Sequence, residues 1–227
     1  MKDLFRWSGA LLFAVSLLSM PAMYVFRLGT PAPDHGGAVR DAVMNVVLFT
    51  VFALHHSIMA RTGAKAWVTR IVPADLERSV YVWIASILFL TVCWMWQPLP
   101  GVIWQVDEAA TVLYVAQAFG VVLTLAAARV VGIRELAGLQ QPNPSAPVEF
   151  RAAGPFALVR HPIYLGWVLM VFATPAMTSS RLLFAVVSTL YLVIAIPLEE
   201  RLLVDTYGDR YRDYQNKMRW RLIPRVW

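Results

Sequence analysis

Arg160-His161-Pro162-Ile163-Tyr164-Leu165-Gly166 opens an apolar run that extends from Ile163 to Met177, and a second apolar run, Leu182 to Leu198, ends on the acidic pair Glu199-Glu200. Two membrane helices joined by a tight turn would return the second run to the side on which the first began. A guanidinium, an imidazole, a phenol and two carboxylates then converge at one membrane face, and an active site is expected there. Pro162 suits the first turn of a helix, where its missing N–H costs nothing, and it pushes His161 out of the helical region. His161 is therefore expected at the lip, beside unsatisfied N–H groups and the positive end of the helix dipole. Gly166, one turn further in, admits either a ligand or another helix close to the backbone. Taken alone, Arg160-His161-Pro162 reads as a proline-started helix with an interfacial arginine. The downstream Glu199-Glu200, Tyr207-Gly208-Asp209 and Tyr211 turn the reading towards a site.

The rest of the chain is of one character. Of its 227 residues, 59% are hydrophobic and 15% charged, far more apolar than a soluble domain of that length. Apolar runs at roughly 7–26, 39–60, 79–97, 109–131, 162–177 and 182–198 have the length of helical spans, so the fold class is all-α: a polytopic membrane bundle of about six transmembrane helices with a cytoplasmic C-terminal amphipathic helix. Six spans place both termini on one side. Of the twenty Lys and Arg residues, Arg27, Arg40 and Arg181 alone fall on the other side, so both termini are expected in the cytoplasm. The net charge of +6 then reports topology and not nucleic-acid binding. One membrane domain is expected over 1–227: four spans in 1–131, a cytoplasmic loop over 132–161, a helical hairpin over 162–198 and a cytoplasmic segment over 199–227. Residues 1–23 read as a retained first helix, since the apolar run is long for a leader and no small-x-small site stands out. Cys93 is the single cysteine and fits no disulfide or metal pattern.

Within the spans, the polar residues are the informative ones. The second span carries Asn45 and ends in His55-His56, and polar residues inside a span face the bundle interior. Neighbours on a helix point about 100° apart, so one of the two histidines is expected to line a given cavity, the alternative being an interhelical hydrogen bond. No acidic or cysteine ligand stands one turn away, which argues against zinc. Trp94, Trp96 and Trp104 are expected in an interfacial belt. The proline-rich stretch 142–147, with Gln140 and Gln141, is expected to close over the cytoplasmic site. Tyr207, Tyr211 and Tyr214 share a helical face, which is expected to pack on the membrane surface.

Arg160-His161-Pro162-x-Tyr164-x-Gly166, Glu199-Glu200-x-Leu202, Tyr207-Gly208-x-x-Tyr211-x-x-Tyr214 and Pro224 resemble the C-terminal half of the isoprenylcysteine carboxyl methyltransferase-like membrane proteins. Leu54-His55-His56-Ser57-x-Met59-Ala60-Arg61, with Glu77-Arg78-Ser79-x-Tyr81-Val82, Trp94-x-Trp96-x-Pro98 and Ala173-Thr174-Pro175-x-Met177-Thr178, is similar to the bacterial methanethiol S-methyltransferase branch. The resemblance implies an inner-membrane enzyme that uses S-adenosyl-L-methionine to methylate a small thiol, methanethiol giving dimethyl sulfide. It implies cofactor contacts from Arg160, His161, Pro162, Tyr164, Gly166, Glu199 and Glu200, with Gln140 from the preceding loop. For the thiol's proton, His55 or His56 is the candidate acceptor on chemical grounds, with Glu199 second. The charges are compatible: a carboxylate can meet the sulfonium and ammonium, while Arg160 and the amides after Pro162 can meet the anion. No G-x-G-x-x-G strand–helix unit is present, which excludes a Rossmann-type methyltransferase.

One stretch departs from the branch. Gly132-Ile133-Arg134-Glu135-Leu136-Ala137-Gly138-Leu139 stands where a histidine- and phenylalanine-containing segment is expected before a Gly-Leu pair. Methylation of an isoprenylcysteine carboxylate or a phospholipid amine therefore stays open beside the thiol. A noncatalytic membrane carrier or accessory protein is the alternative of another class, although carriers usually show repeated halves and polar breaks at the midplane.

Overall fold

The structure is a computed structural model, and it describes residues 1–59, 61–140 and 152–227. In chain order the elements are α1 (Lys2–Ala22), continued by a wider turn over Met23–Arg27, α2 (Ala38–Met59), the short α3 (Thr62–Val68) and α4 (Glu77–Met95). There follow β1 (Val102–Gln105), α5 (Ala110–Val131), the single turn α6 (Ile133–Leu136) and α7 (Pro162–Phe172). The chain ends in β2 (Ala176–Thr178), α8 (Ser179–Tyr207) and α9 (Asp209–Lys217). Among the described residues five helices are long and apolar enough to cross a membrane, and α7 is a shorter apolar helix. The all-α membrane bundle read from the sequence is the fold.

The fifth expected span differs. Its helix has 11 residues, about 16 Å at 1.5 Å per residue, against an apolar core of about 30 Å. The cause is local: Pro175 biases Thr174 away from the helical region, and Ala173 already leaves it at φ −80°, ψ 66°. The chain then turns over residues 173–175 and is extended over the three residues of β2. The hairpin still returns to its start, since Arg160 before α7 meets Glu200 of α8 at 2.7 Å.

Non-helical backbone in apolar surroundings must find partners inside the protein. Here β2 pairs with β1, the Ser179 amide donates to the Gly101 carbonyl (3.1 Å), and the Thr178 hydroxyl donates to the Leu28 carbonyl. Arg181 donates to the Ala176 carbonyl (2.5 Å) and lies over the Tyr24 ring.

Backbone packing divides the chain into two compact units. The first comprises Met1–Trp104, Ile133–Pro142 and Ala176–Val187; the second comprises Gln105–Gly132, Asn143–Pro175 and Ser188–Trp227. In the first, α1 lies on α4 where Gly9 leaves room: a Cβ there would stand 2.7 Å from the Trp83 ring, whose Nε1 donates to the Phe5 carbonyl (3.0 Å). Asn45 faces inward as expected and is satisfied by both backbone groups of Gln97, each at 2.7 Å. Trp96 corrects the interfacial expectation. Its ring is fully buried, edge-on to Phe184 at 5.3 Å, whereas Trp94 is exposed. Two residues of helix turn a side chain by about 200°, so the two rings part company.

In the second unit α5 crosses α7 at Gly120 and Gly166. A Cβ on Gly166 would stand 2.6 Å from the Gly120 carbonyl oxygen and would also overlap the Thr124 side chain. Gly166 therefore serves the approach of another helix, one of the two uses open to it. The core beside this crossing comprises Leu123, Val159, Leu165, Ile196 and Leu222, with Trp220 and Trp227 packed against it. Gly208, at φ 59°, separates α8 from α9. Tyr211 and Tyr214 are buried within the protein and not spread on a membrane surface, because the Tyr214 hydroxyl finds the Phe156 carbonyl at 2.7 Å.

Candidate active site

The start of α7 is stitched to the C-terminal segment. The Arg160 amide donates to the Trp220 carbonyl (2.8 Å) and the His161 amide to the Arg221 carbonyl (2.9 Å). These contacts fix the two side chains that precede Pro162. Arg160 donates to both oxygens of Glu200, at 2.7 Å and 3.2 Å, and its remaining Nη donates to the Met218 carbonyl (2.9 Å). Glu200 is further met by His161 Nε2 (3.3 Å), Arg221 Nε (3.3 Å) and Gln215 Nε2 (3.4 Å). The Arg160 and Glu200 side chains are 7% and 5% exposed. A buried ion pair holds only when its remaining hydrogen-bonding capacity is met, and here it is. Arg160 and Glu200 are thus committed to each other and to the chain's last turn.

Glu199 has a different setting. Its side chain is 40% exposed, it accepts the Tyr164 hydroxyl, and His161 Nδ1 lies 3.7 Å from its Oε2. The His161 ring stacks on Tyr164 (5.4 Å between centroids, 14° between planes). One imidazole therefore stands between two adjacent carboxylates, one enclosed and one facing outward. Burial, with the Glu200 charge adding to it, pushes the Tyr211 hydroxyl up, and burial pushes Tyr214 up to about 12. Both phenols stay neutral beside the clamp.

A cavity of about 670 Å³ borders this cluster, lined by Phe156, Ala157, Arg210, Asp213, Tyr214, Lys217 and Met218, with Ala152 at its edge. Its size suits a small-molecule site. It meets the clamp through Met218 and Tyr214; Glu199 and Tyr164 are not among its walls.

His55 and His56 belong to the first unit. His56 Nδ1 and the Tyr81 hydroxyl are hydrogen-bonded at 2.8 Å, and His55 stacks on the Tyr81 ring (5.9 Å, 14°). Both rings therefore touch one residue of α4, and the interhelical bond raised as an alternative is made by His56. Gln140 is exposed, its amide bonded to the Arg134 carbonyl (3.2 Å). The proposed closing stretch, 141–147, lies outside the described residues. Within the departing segment, the Gly138 carbonyl accepts the Ser79 hydroxyl (2.7 Å) and the Glu135 carbonyl accepts Arg78 (3.2 Å). Among the described residues no group of His, Cys, Asp and Glu is arranged to hold a metal ion.

Sequence reasoning missed Arg221, Gln215 and Tyr81. The first two sat in a basic tail whose charge had already been explained by topology. Tyr81 stood within a quoted motif, but nothing in its spacing showed that it would meet α2.

Known proteins similar to this chain include several named as methyltransferases. A family model described as phospholipid methyltransferase matches residues 109–210. The Bradyrhizobium diazoefficiens protein named methanethiol S-methyltransferase 1 is 41% identical over 80% of this chain and 66% of its own, just under two thirds of its length. The Mycobacterium tuberculosis protein named methanethiol S-methyltransferase is 41% identical over 82% of this chain and 80% of its own. Its Crocosphaera subtropica namesake is 37% identical over 82% and 76%. No solved structure matches the chain.

Proposed function

The chain is a membrane methyltransferase of the methanethiol S-methyltransferase family, and on that premise we propose that it methylates a small thiol with S-adenosyl-L-methionine, converting methanethiol to dimethyl sulfide. The observation that carries this reading is the unequal fate of Glu199 and Glu200. Glu200 is neutralised inside the protein, so Glu199 is the carboxylate left to meet a cation. Tyr164 and His161 hold Glu199 in place, and the donor set fits the sulfonium and ammonium of the methyl donor. The amides at the start of α7 suit its carboxylate. When bound, the sulfonium supplies an electrophilic methyl carbon. Arg160, Glu200 and Arg221 then form the frame that holds the α7 start and the C-terminal segment together.

The thiolate, not the thiol, is the nucleophile, so a residue must take the thiol's proton. His55 and His56 are the candidates, with Glu199 second. A poorly solvating site at the membrane boundary favours a reaction in which opposite charges disappear together. The charge asymmetry along the chain supports both termini and the His161 end in the cytoplasm, and the bacterial sources of the similar methyltransferases support an inner-membrane location. A charged donor then arrives from the cytoplasm and an apolar thiol from the bilayer.

The match to a phospholipid methyltransferase model favours a second reading, methylation of a lipid amine. Membranes incubated with methyl-labelled donor and methanethiol, longer thiols, an isoprenylcysteine analogue or phosphatidylethanolamine separate these readings. Labelled dimethyl sulfide in the headspace is the expected outcome. Label in the lipid extract would replace the thiol reading, and failure to bind the donor would return the chain to the noncatalytic class.

A further inference from the structure

Tyr81 organises the two histidines of α2 unequally. Its hydroxyl engages His56 Nδ1 at 2.8 Å, while its ring carries His55 face to face, 14° from parallel. Arg78, one turn earlier on α4, lies over the same ring at 5.1 Å and is itself anchored on the Glu135 carbonyl. The tyrosine is thus held by the element it belongs to and by the α6 turn. His56 is occupied by that hydroxyl. Both ring nitrogens of His55, by contrast, are shielded from solvent and have no hydrogen-bond partner among the described residues. A neutral imidazole carries one N–H and one lone pair, and proteins leave such groups unpaired when buried only rarely, notably where chemistry uses them. Packing does not require imidazole at this position, since any flat ring would stack on Tyr81.

We infer that His55 takes the thiol's proton and that Tyr81 is its positioning residue, fixing His56 by the hydroxyl and orienting His55 by the ring. The inference rests on the reading that an α2 histidine is the proton acceptor, and it selects which. The S–H bond breaks, its electron pair stays on sulfur, and the proton joins the lone pair of His55. After methyl transfer the imidazolium returns that proton to water.

The test uses thiols of similar size and different acidity: ethanethiol, protonated at neutral pH, and trifluoroethanethiol, whose fluorines make it far more acidic. Losing a proton acceptor harms the first much more than the second. His55→Phe keeps the stack and removes both nitrogens. It should fold as well as wild type in detergent melts, bind the donor normally by calorimetry, and lose about 100- to 10,000-fold in kcat on ethanethiol, with a much smaller loss on trifluoroethanethiol. His55→Gln, which keeps polarity without a proton-accepting ring nitrogen, should show the same selectivity. Tyr81→Phe should cost a few-fold, while Tyr81→Leu should reproduce the thiol selectivity of His55→Phe. Equal losses on both thiols in His55→Phe would overturn the inference. Selectivity appearing in His56→Phe instead would overturn the assignment to His55 and leave the proposed function standing. A wild-type protein that binds the donor and methylates neither these two thiols nor methanethiol would remove the proposed function itself.

Discussion

Glu200→Ala removes the acceptor shared by Arg160, His161, Arg221 and Gln215. Arg160 is then left as a buried cation whose remaining partners are the Met218 and Arg219 carbonyls. Breaking a buried ion pair from one side costs about 3–5 kcal/mol. At roughly 2–4 °C per kcal/mol for a chain of this size, the melting temperature should fall by about 6–20 °C. Arg160→Met is gentler, because Glu200 keeps Arg221 and His161; a loss of about 1–3 kcal/mol is expected. The double variant Arg160→Met/Glu200→Leu should recover much of what Glu200→Ala loses, since well-packed apolar groups often replace a buried pair at no net cost. Unfolding in detergent, followed by tryptophan fluorescence, reads this directly, as Trp220 and Trp227 pack on the core beside the clamp. A Glu200→Ala protein melting within about 2 °C of wild type, or a double variant no better than its worse parent, would refute the reasoning. Glu200 would then be free to serve a ligand, and the division of labour between the two carboxylates would be wrong.

Three further outcomes follow from the same geometry. Glu199→Gln should lower donor affinity about 10- to 100-fold by calorimetry, the worth of one charge-assisted hydrogen bond, with the melting temperature unchanged. Gly166→Ala should cost about 1–3 kcal/mol in detergent melts, and Gly120→Ala a similar amount, because a Cβ on Gly120 would stand 2.6 Å from the Gly166 carbonyl oxygen. Alkali tests the buried phenols. Tyr211 and Tyr214 ionise later folded than unfolded, so the stability they confer is intact below the ~10 of an unfolded tyrosine and is lost as pH rises through about 12 for Tyr214. Melts should hold between pH 7 and 9 as far as these groups are concerned and decline above about pH 10, less steeply in Tyr214→Phe.

The membrane class, the five long helices of the described residues and the return of Glu199-Glu200 to His161 were legible because apolar run length and proline placement are local signals. The same signals overran at the fifth span. Ala173, Met177 and their neighbours are as apolar as α7 itself, and composition does not distinguish helix from extended chain buried against Arg181 and Thr178. Trp96 and Tyr214 were misread for a related reason. An aromatic near a span end suits the membrane interface by type, and only packing shows that a Phe184 or a Phe156 carbonyl has claimed that part of the chain. The C-terminal partners Arg221 and Gln215 were invisible because a basic tail has a sufficient explanation in topology. Contacts 15 and 21 positions apart, as theirs to Glu200 are, leave no periodic trace.

Two doublets in the sequence could not be resolved from the sequence, Glu199-Glu200 and His55-His56, and the structure divides both in the same manner. Neighbours on a helix point about 100° apart, so a pair of identical residues cannot both face one partner squarely. Glu200 turns inward to Arg160 while Glu199 stays 40% exposed beside Tyr164. His56 takes the Tyr81 hydroxyl, while the two ring nitrogens of His55 have no hydrogen-bond partner among the described residues. In each doublet one member binds the protein itself and so fixes the helix rotation that aims the other. The anchoring member has a further chemical effect for the acidic pair. Glu200 directs its charge to Arg160 and Arg221, which leaves Glu199 as the carboxylate turned outward beside Tyr164. A single acidic residue at position 199, without an anchored neighbour, would leave Arg160 buried and unpaired and the α7 start unheld. The doublet therefore follows from having to satisfy a buried guanidinium and present an open carboxylate within one step of helix.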